Sequence, residues 1–129
     1  MPAYGIEIIL NRQLADCLSM PVFITDPTGN LIFYNEPAEK TLGTRFDETG
    51  EMKVEQWGTM FKQKDDEGED MSPDQLPLAK TLADQKPHHK TFWIESLQGK
   101  KEKISVTSFP IIGRAGTFLG AVAIFWEIT

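Results

Sequence analysis

Residues 21–43 of the chain read PVFITDPTGNLIFYNEPAEKTLG and carry the signals of a hairpin followed by a helix. Two runs rich in β-forming residues flank the turn sequence Asp-Pro-Thr-Gly, in which Pro27 sets φ and Gly29 tolerates a positive φ. Asn35 is a favoured helix N-cap, and Gly43 is a typical C-terminal stop. The stretch therefore predicts a strand, a turn, a second strand and a short helix.

Asp26 begins that turn and is the residue of this stretch that most invites a chemical role. Its carboxylate could serve as a general base if a cleft opened onto it. As the first residue of a tight turn, however, it can accept hydrogen bonds from its own backbone. We favour the role in the turn.

The segment before the hairpin, residues 5–19, has the pattern of an amphipathic helix. Its apolar residues recur at three- and four-residue steps, and Pro21 ends the pattern. The residues of this stripe are Ile6, Ile9, Leu10, Leu14, Cys17 and Leu18.

The rest of the chain predicts helices followed by strands. Residues 54–61 suit one or two helical turns with Val54, Trp57 and Phe61 on one face, and a regular helix should run from about Pro77 after an irregular first turn. Three strands follow, separated by the turns LQGK and GRAG. Two groups of strands separated by helices indicate an α+β domain with one antiparallel sheet.

The last strand is apolar on both of its faces, unlike a strand with one wet face. Val122, Ile124, Trp126 and Ile128 alternate with Ala121, Ala123, Phe125 and Glu127. We expect both faces to be covered, one by the central helices and the other by helix 5–19 or by a second copy of the chain. The small alanines leave either a cavity or a space that large residues such as Phe33 and Trp57 fill.

Bulk composition excludes several classes of protein. The chain has 129 residues, a formal net charge of −6 and a pI of about 4.9, which argue against nucleic acid as a partner. A single cysteine cannot form an intrachain disulfide, which fits a cytoplasmic protein. Nothing resembles a signal peptide or a membrane-spanning run, so no membrane partner is expected.

A search for reactive residues finds no catalytic constellation and no metal site. The sequence lacks a G-x-S-x-G elbow and the glycine-rich phosphate loops. His88 and His89 are neighbours in a predicted strand and point to opposite sides, and the acidic run 65–70 lacks EF-hand spacing. We therefore expect no enzyme; a small cone-shaped α+β enzyme is the alternative if a buried carboxylate lies beside either histidine.

Taken together, these segments resemble a PAS domain. The hairpin and capped helix of residues 21–43 are similar to the opening of such domains, and SPDQLPLAKTL at 72–82 is similar to the approach to their long helix. GAVAIFWEIT at 120–129 resembles their closing strand. The resemblance covers about residues 14–129.

The resemblance implies a five-stranded antiparallel sheet in the order 2-1-5-4-3, with helices on one face and the N-terminal helix on or near the other. It implies a bacterial signalling sensor that binds a small ligand or a protein partner and passes on its state through dimerisation. Kinases, cyclases, phosphatases and transcription regulators are the partners that it suggests. Residues 1–20 would form the cap or dimerisation helix, and residues 21–129 would form the sensor domain.

Alternation along the strands and the family's architecture together suggest two sets of functional residues. The candidates for a ligand cavity are Phe33, Trp57, Leu78, Leu82, Ile104, Val106, Ala123 and Phe125. The candidates for a homodimer interface are Ile6, Ile9, Leu10, Leu14, Val122, Ile124 and Trp126. The alternative is a ligand-free docking and dimerisation module with a filled core.

Departures from the family's pattern bear on cofactors. The light-oxygen-voltage members of the family carry an Asn-Cys-Arg-Phe-type motif on a helix, and this motif is absent here. The single cysteine, Cys17, precedes the first strand. We therefore expect a PAS-like domain that is not of the light-oxygen-voltage type. Haem-binding members commonly carry their histidine on the long helix, whereas residues 74–86 contain none. The sequence therefore requires no cofactor, and haem and non-covalently bound flavin stay open.

Overall fold

A computed structural model describes residues 6–42, 51–53, 63–95 and 101–128. The helical turns expected at 54–61, and with them Trp57, lie outside these residues. The sheet has five antiparallel strands in the order β2-β1-β5-β4-β3, which confirms the expected architecture. The strands are β1 Val22–Thr25, β2 Leu31–Tyr34, β3 His88–Glu95, β4 Lys101–Ile112 and β5 Phe118–Glu127.

Three α-helices accompany the sheet in the described part of the chain. They are α1 Ile6–Cys17, α2 Glu36–Leu42 and α3 Pro77–Asp84. A 3-10 turn at Pro73–Gln75 precedes α3, as expected from the proline at position 77, which lacks an N–H and favours the first helical turn. Among the described helices, none has the length and apolar character to cross a membrane.

The turn between β1 and β2 has the predicted chemistry. One carboxylate oxygen of Asp26 accepts hydrogen bonds from the backbone N–H groups of Thr28 and Asn30, at 2.9 and 3.0 Å. Gly29 adopts a φ of 95°, a conformation that costs glycine little. Asp26 therefore stabilises its own turn.

The two faces of β5 belong to two separate apolar clusters, and we call them the inner and the outer face. Ala121, Ala123 and Phe125 point to the inner face and join a cluster with α3 and residues of β3 and β4. Val122 and Ile124 point to the outer face, where α1 packs. The covering of both faces, expected from the strand's composition, is confirmed at this part of the sheet.

Gly120 is needed where β5 passes beside Thr25 at the end of β1. A Cβ atom at this position would lie 2.1 Å from the backbone oxygen of Thr25, and the residue has a φ of 151°. Both facts exclude an ordinary side chain, because the backbone oxygen cannot move without breaking the ladder. The glycine thus allows the two central strands to approach.

The N-terminal helix α1 covers the outer face with a different side from the one that its periodicity suggested. Ile8 and Ala15 are buried against the sheet. Four residues of the predicted stripe point away, with exposed fractions of 66% for Ile6, 46% for Ile9, 55% for Leu10 and 58% for Leu14. Leu18 of the same stripe packs against the outer cluster. Cys17, expected on a buried stripe, is also exposed. The helix carries apolar residues on more than one side, and the sheet takes the side with the small Ala15.

Candidate functional site

The inner face and α3 line a partly open cavity of about 70 Å³. Five of the candidates suggested by the sequence line it: Leu78, Ile104, Val106, Ala123 and Phe125. The other described residues of its wall are Phe23, Leu31, Gln63, Leu76, Pro77, Phe92 and Ile94. Ala123, one of the two small alanines on the inner side of β5, thus borders some unfilled volume.

Phe33 was expected to face this cavity, and that expectation is wrong. Phe33 pairs with Ile24 across the hairpin, and both belong to the outer cluster. Its ring lies under the guanidinium of Arg12 on α1, with 4.7 Å between the guanidinium carbon and the ring centroid. Leu82 packs against the inner cluster but is not part of the cavity wall in the described residues.

The described wall of the cavity is apolar apart from one side chain. Phe23 and Phe125 stack with 5.2 Å between ring centroids and form one side of it. Gln63 is the single polar residue of the described wall, with an exposed fraction of 6%. Because none of the described wall residues ionises, the cavity suits binding of an apolar molecule better than acid–base chemistry.

The volume of the cavity limits what it could hold without opening. Pockets for drug-sized ligands are about 300–1,000 Å³, several times larger than the observed 70 Å³. The described part of the cavity is therefore small for a flavin or a haem in this conformation. The single cysteine cannot form a flavin adduct there, since Cys17 ends α1 on the outer face.

The second candidate site is the exposed side of α1 with the neighbouring outer face. Trp126 is 39% exposed, and Ile124 is partly buried. Val122 was suggested for an interface, but it is 3% exposed because α1 already covers it, so a partner cannot reach it in this arrangement. The accessible apolar residues of α1 are Ile6, Ile9, Leu10 and Leu14.

Beyond α1, the outer face becomes polar. His89 places its Nδ1 at 2.9 Å from the hydroxyl of Thr107 and its Nε2 at 3.2 Å from the hydroxyl of Ser105. The ring centroid of Trp126 is 6.1 Å away from that of His89. These contacts tie β3, β4 and β5 together on the surface, and they involve no carboxylate.

His88 does contact a carboxylate, which is the arrangement that an enzyme would need. Its Nε2 lies 2.7 Å from Oδ2 of Asp84, at the junction between α3 and β3. Desolvation raises the pKa of Asp84, but hydrogen bonds from His88 and from the backbone of Lys86 outweigh it and hold the pKa below the usual carboxyl range. The two side chains are 28% and 43% exposed, and neither lines the cavity, so the pair is a surface contact.

The sequence did not identify seven of the described wall residues, Gln63 among them, or the second role of Asn35. Gln63 lies in an irregular segment where no periodicity indicates a face. Asn35 was identified only as a helix cap, yet its amide nitrogen also contacts the segment around the end of α1. A helix N-cap needs only one acceptor atom from the side chain. The preference for asparagine at an N-cap therefore does not predict what its amide NH₂ group contacts.

Comparison with known proteins agrees with this architecture. A family model described as PAS domain matches residues 10–80, more than half of the chain. No curated protein matches the sequence.

Solved structures share the fold at low sequence identity. The PAS domain of BvgS from Bordetella pertussis aligns with 15% identity and a TM-score of 0.62, covering 95% of this chain and 86% of that one. A PAS domain from Colwellia psychrerythraea aligns with 17% identity and a TM-score of 0.65, covering 95% and 97%. A light-oxygen-voltage protein from Rhodobacter sphaeroides aligns with 12% identity and a TM-score of 0.72, covering 97% and 69%.

Proposed function

Because the chain belongs to the PAS domain family, we propose that it is a signalling module that pairs with a second copy through α1 and passes on the state of its inner cavity. One observation carries the pairing: α1 is two-sided. It buries Ile8 and Ala15 on the sheet while its other side stays apolar and exposed. A helix of a monomeric protein normally turns a polar side to water.

Burial of this exposed stripe would favour association. Full burial of a Leu or Ile side chain contributes about 1.5–3 kcal/mol, so several such residues together can offset part of the cost of joining two chains. Trp126 and Ile124 extend the apolar surface onto the sheet beside α1. We therefore place the partner copy over α1 and the adjoining end of β5.

Sedimentation velocity over a range of protein concentrations tests the pairing. The wild-type chain should sediment as a dimer that dissociates on dilution, and Leu10→Asp and Leu14→Asp should be monomeric. Ala83→Asp is the matched control, since it adds the same charge at an exposed site of α3, on the opposite face of the sheet. A wild-type monomer at all concentrations, or dimers in all variants, would contradict the proposal.

For the cavity we propose a compact apolar ligand. The observation that favours it is the apolar wall around about 70 Å³, roughly half the volume of a known engineered apolar cavity of about 150 Å³ that stays dry and binds benzene or xenon. The ligand-free module is the alternative, in which the same volume is only a packing defect. Native mass spectrometry of freshly purified protein should reveal a co-purified molecule if the ligand is retained.

Xenon provides a direct test of access to the cavity. Chemical shifts of the methyl groups of Leu78, Ile104 and Val106 should move with xenon pressure in the wild-type protein. In Ala123→Val, which reduces the volume, the shifts should be much smaller. Equal shifts in both proteins, or none in either, would favour the ligand-free module.

The setting of the module remains a prediction of the same proposal. We expect a bacterial, cytoplasmic protein whose output is a kinase, cyclase, phosphatase or transcription regulator. Residues 1–20 would form the cap or dimerisation helix, and residues 21–129 would form the sensor domain. Co-purification with tagged wild-type protein, compared with Leu10→Asp, tests whether such a partner depends on the paired state.

A further inference from the structure

The side chain of Asn35 uses both ends of its amide in the described structure. Its Oδ1 accepts hydrogen bonds from the backbone N–H groups of Val22 and Ala38, at 3.0 and 3.1 Å. Its Nδ2 donates to the carbonyls of Ala15 and Met20, at 2.8 and 3.0 Å. The residue is 1% exposed, so these bonds are made away from competing water.

Two of these four partners belong to helices on opposite sides of the sheet. Ala38 lies in the first turn of α2, is fully buried and belongs to the inner cluster that surrounds the cavity. Ala15 lies in the last turn of α1 and belongs to the outer cluster. The single side chain of Asn35 therefore connects the cavity side of the domain with α1 on its outer face.

An ordinary cap would not need this arrangement. Capping α2 requires only one side-chain acceptor oxygen, here Oδ1, and Ser, Thr or Asp would supply such an oxygen equally well. Only an amide places two donors opposite Oδ1, and both are directed at carbonyls around the end of α1. The choice of asparagine is explained by the contact with α1.

Apolar packing and one cation–π contact also hold α1 in the described structure. Ile8 and Ala15 are its buried residues, and Arg12 lies over Phe33. A helix of 12 residues is marginal on its own in water, so its order depends on such docking. Loss of the two bonds from Nδ2 should therefore loosen the whole helix.

We infer that Asn35 is the positioning residue that makes the docking of α1 depend on the first turn of α2. This inference rests on the proposed function in one respect, since it explains how a change beside the cavity reaches the pairing helix. If α2 shifts, Oδ1 must follow Ala38 or lose it, and Nδ2 moves with it relative to Ala15. The two helices are coupled because one rigid amide group contacts both.

Amide hydrogen exchange of the full chain, at a concentration where it is monomeric, tests the inference. Asn35→Asp keeps both acceptor bonds of Oδ1 and places an acceptor where Nδ2 donated, so it should release α1 without uncapping α2. We expect amides of α1 to exchange at least about tenfold faster, because two modest hydrogen bonds are lost and a carboxylate oxygen faces the two carbonyls. Amides of α2 should stay within about twofold of wild type. Equal acceleration in both helices, or none in α1, would overturn the inference.

Asn35→Ser is the second variant if Asn35→Asp does not fold. Its hydroxyl can cap α2 but is too short to reach the carbonyls of Ala15 and Met20 as well. It should show the same selective acceleration in α1. Thr81→Val is the control for general destabilisation, because Thr81 lies on α3 and contacts β4. Selective acceleration of α1 in this control would also overturn the inference.

Ala38→Gly tests the coupling itself. Glycine loosens the first turn of α2, so exchange in α1 should rise several-fold in the wild-type background. In the Asn35→Asp background the same substitution should leave α1 unchanged, because the connection is already broken. An effect of Ala38→Gly confined to α2 in the wild-type background would contradict the coupling. Sedimentation reports separately on pairing, so a chain that never dimerises would refute the proposed function and leave this result intact.

Discussion

The hydroxyl oxygens of Thr81 on α3 and Ser108 on β4 lie 2.6 Å apart, and both side chains are fully buried. Thr81 also donates to the carbonyl of Lys86 at 2.9 Å, so Ser108 is the donor in the bond between the hydroxyls. This pair joins α3 to the inner face of β4. Thr25, by contrast, has a buried hydroxyl with no partner among the described residues.

These two threonines should respond in opposite ways to the same substitution. Thr81→Val should lower the free energy of unfolding by about 1–3 kcal/mol, because it leaves the hydroxyl of Ser108 buried without its partner. Thr25→Val should leave the stability unchanged or raise it, because it removes an unsatisfied buried hydroxyl while keeping the shape. Urea denaturation of the two variants checks this, and a similar loss in both would show that Thr25 has a partner after all.

The two alanines on the inner side of β5 provide a test of the cavity by stability alone. Ala123 lines the cavity, whereas Ala121 is fully buried and lies outside the described wall. Ala123→Val should be neutral or stabilising, by at most about 0.8 kcal/mol for each methylene accommodated. Ala121→Val should be destabilising by about 1–3 kcal/mol, since it overpacks a filled region.

Thermal unfolding of these two alanine variants, followed by circular dichroism, distinguishes the expectations. Each variant serves as a control for the other, because both substitutions replace alanine with valine on the same face of the same strand. If both variants lose stability equally, the cavity is not available to a valine at position 123.

The end of α3 adopts a backbone conformation that suits glycine. Gln85 has a φ of 59° and a ψ of 36°, in the left-handed region, and its N–H closes the helix on the carbonyl of Thr81. Gln85→Gly should therefore raise the free energy of unfolding by about 0.5–1 kcal/mol. Ala83→Gly, two residues earlier within the helix, should lower it, because glycine there only adds freedom to the unfolded chain. Chemical denaturation shows whether each substitution raises or lowers the free energy of unfolding.

The contact between Asp84 and His88 should affect how the free energy of unfolding changes with pH under acidic conditions. Hydrogen bonds from His88 and Lys86 outweigh desolvation and lower the pKa of Asp84 in the folded state. The contribution of the Asp84 carboxylate to the free energy of unfolding is therefore complete above the ordinary carboxyl pKa of about 3.9. It is lost as the pH falls through the lower pKa that Asp84 has in the folded state.

Asp84→Asn should make the stability depend less on pH between about pH 5 and pH 2, where that carboxylate titrates. Glu67→Gln removes the same charge from an exposed loop and serves as the control. Urea denaturation at several pH values in this range measures the slopes. A steeper slope for Asp84→Asn than for wild type would show that the assigned sign is wrong.

Local chemistry explains why much of the fold could be predicted from the sequence. The turn after β1 is determined by Asp26 and Gly29, whose preferences act within a few residues. The separation of Ala123 from Val122 onto opposite faces follows from the alternation of a strand, which no packing can change. The five-stranded order came from the resemblance to a family, because propensities alone do not specify strand order.

Tertiary structure decided the features that depend on which surfaces meet. Apolar residues occur on several sides of α1, so its periodicity could not show that Ile8 faces the sheet and Leu10 faces out. Phe33 lies on the outer face because it pairs with Ile24, and the register of the hairpin shifts directly after that pair. The double role of Asn35 exists only once α1 and α2 are brought to the same side chain. Sequence determined the local conformations, and packing decided the faces, because a helix or a strand with more than one apolar side can be buried in more than one way.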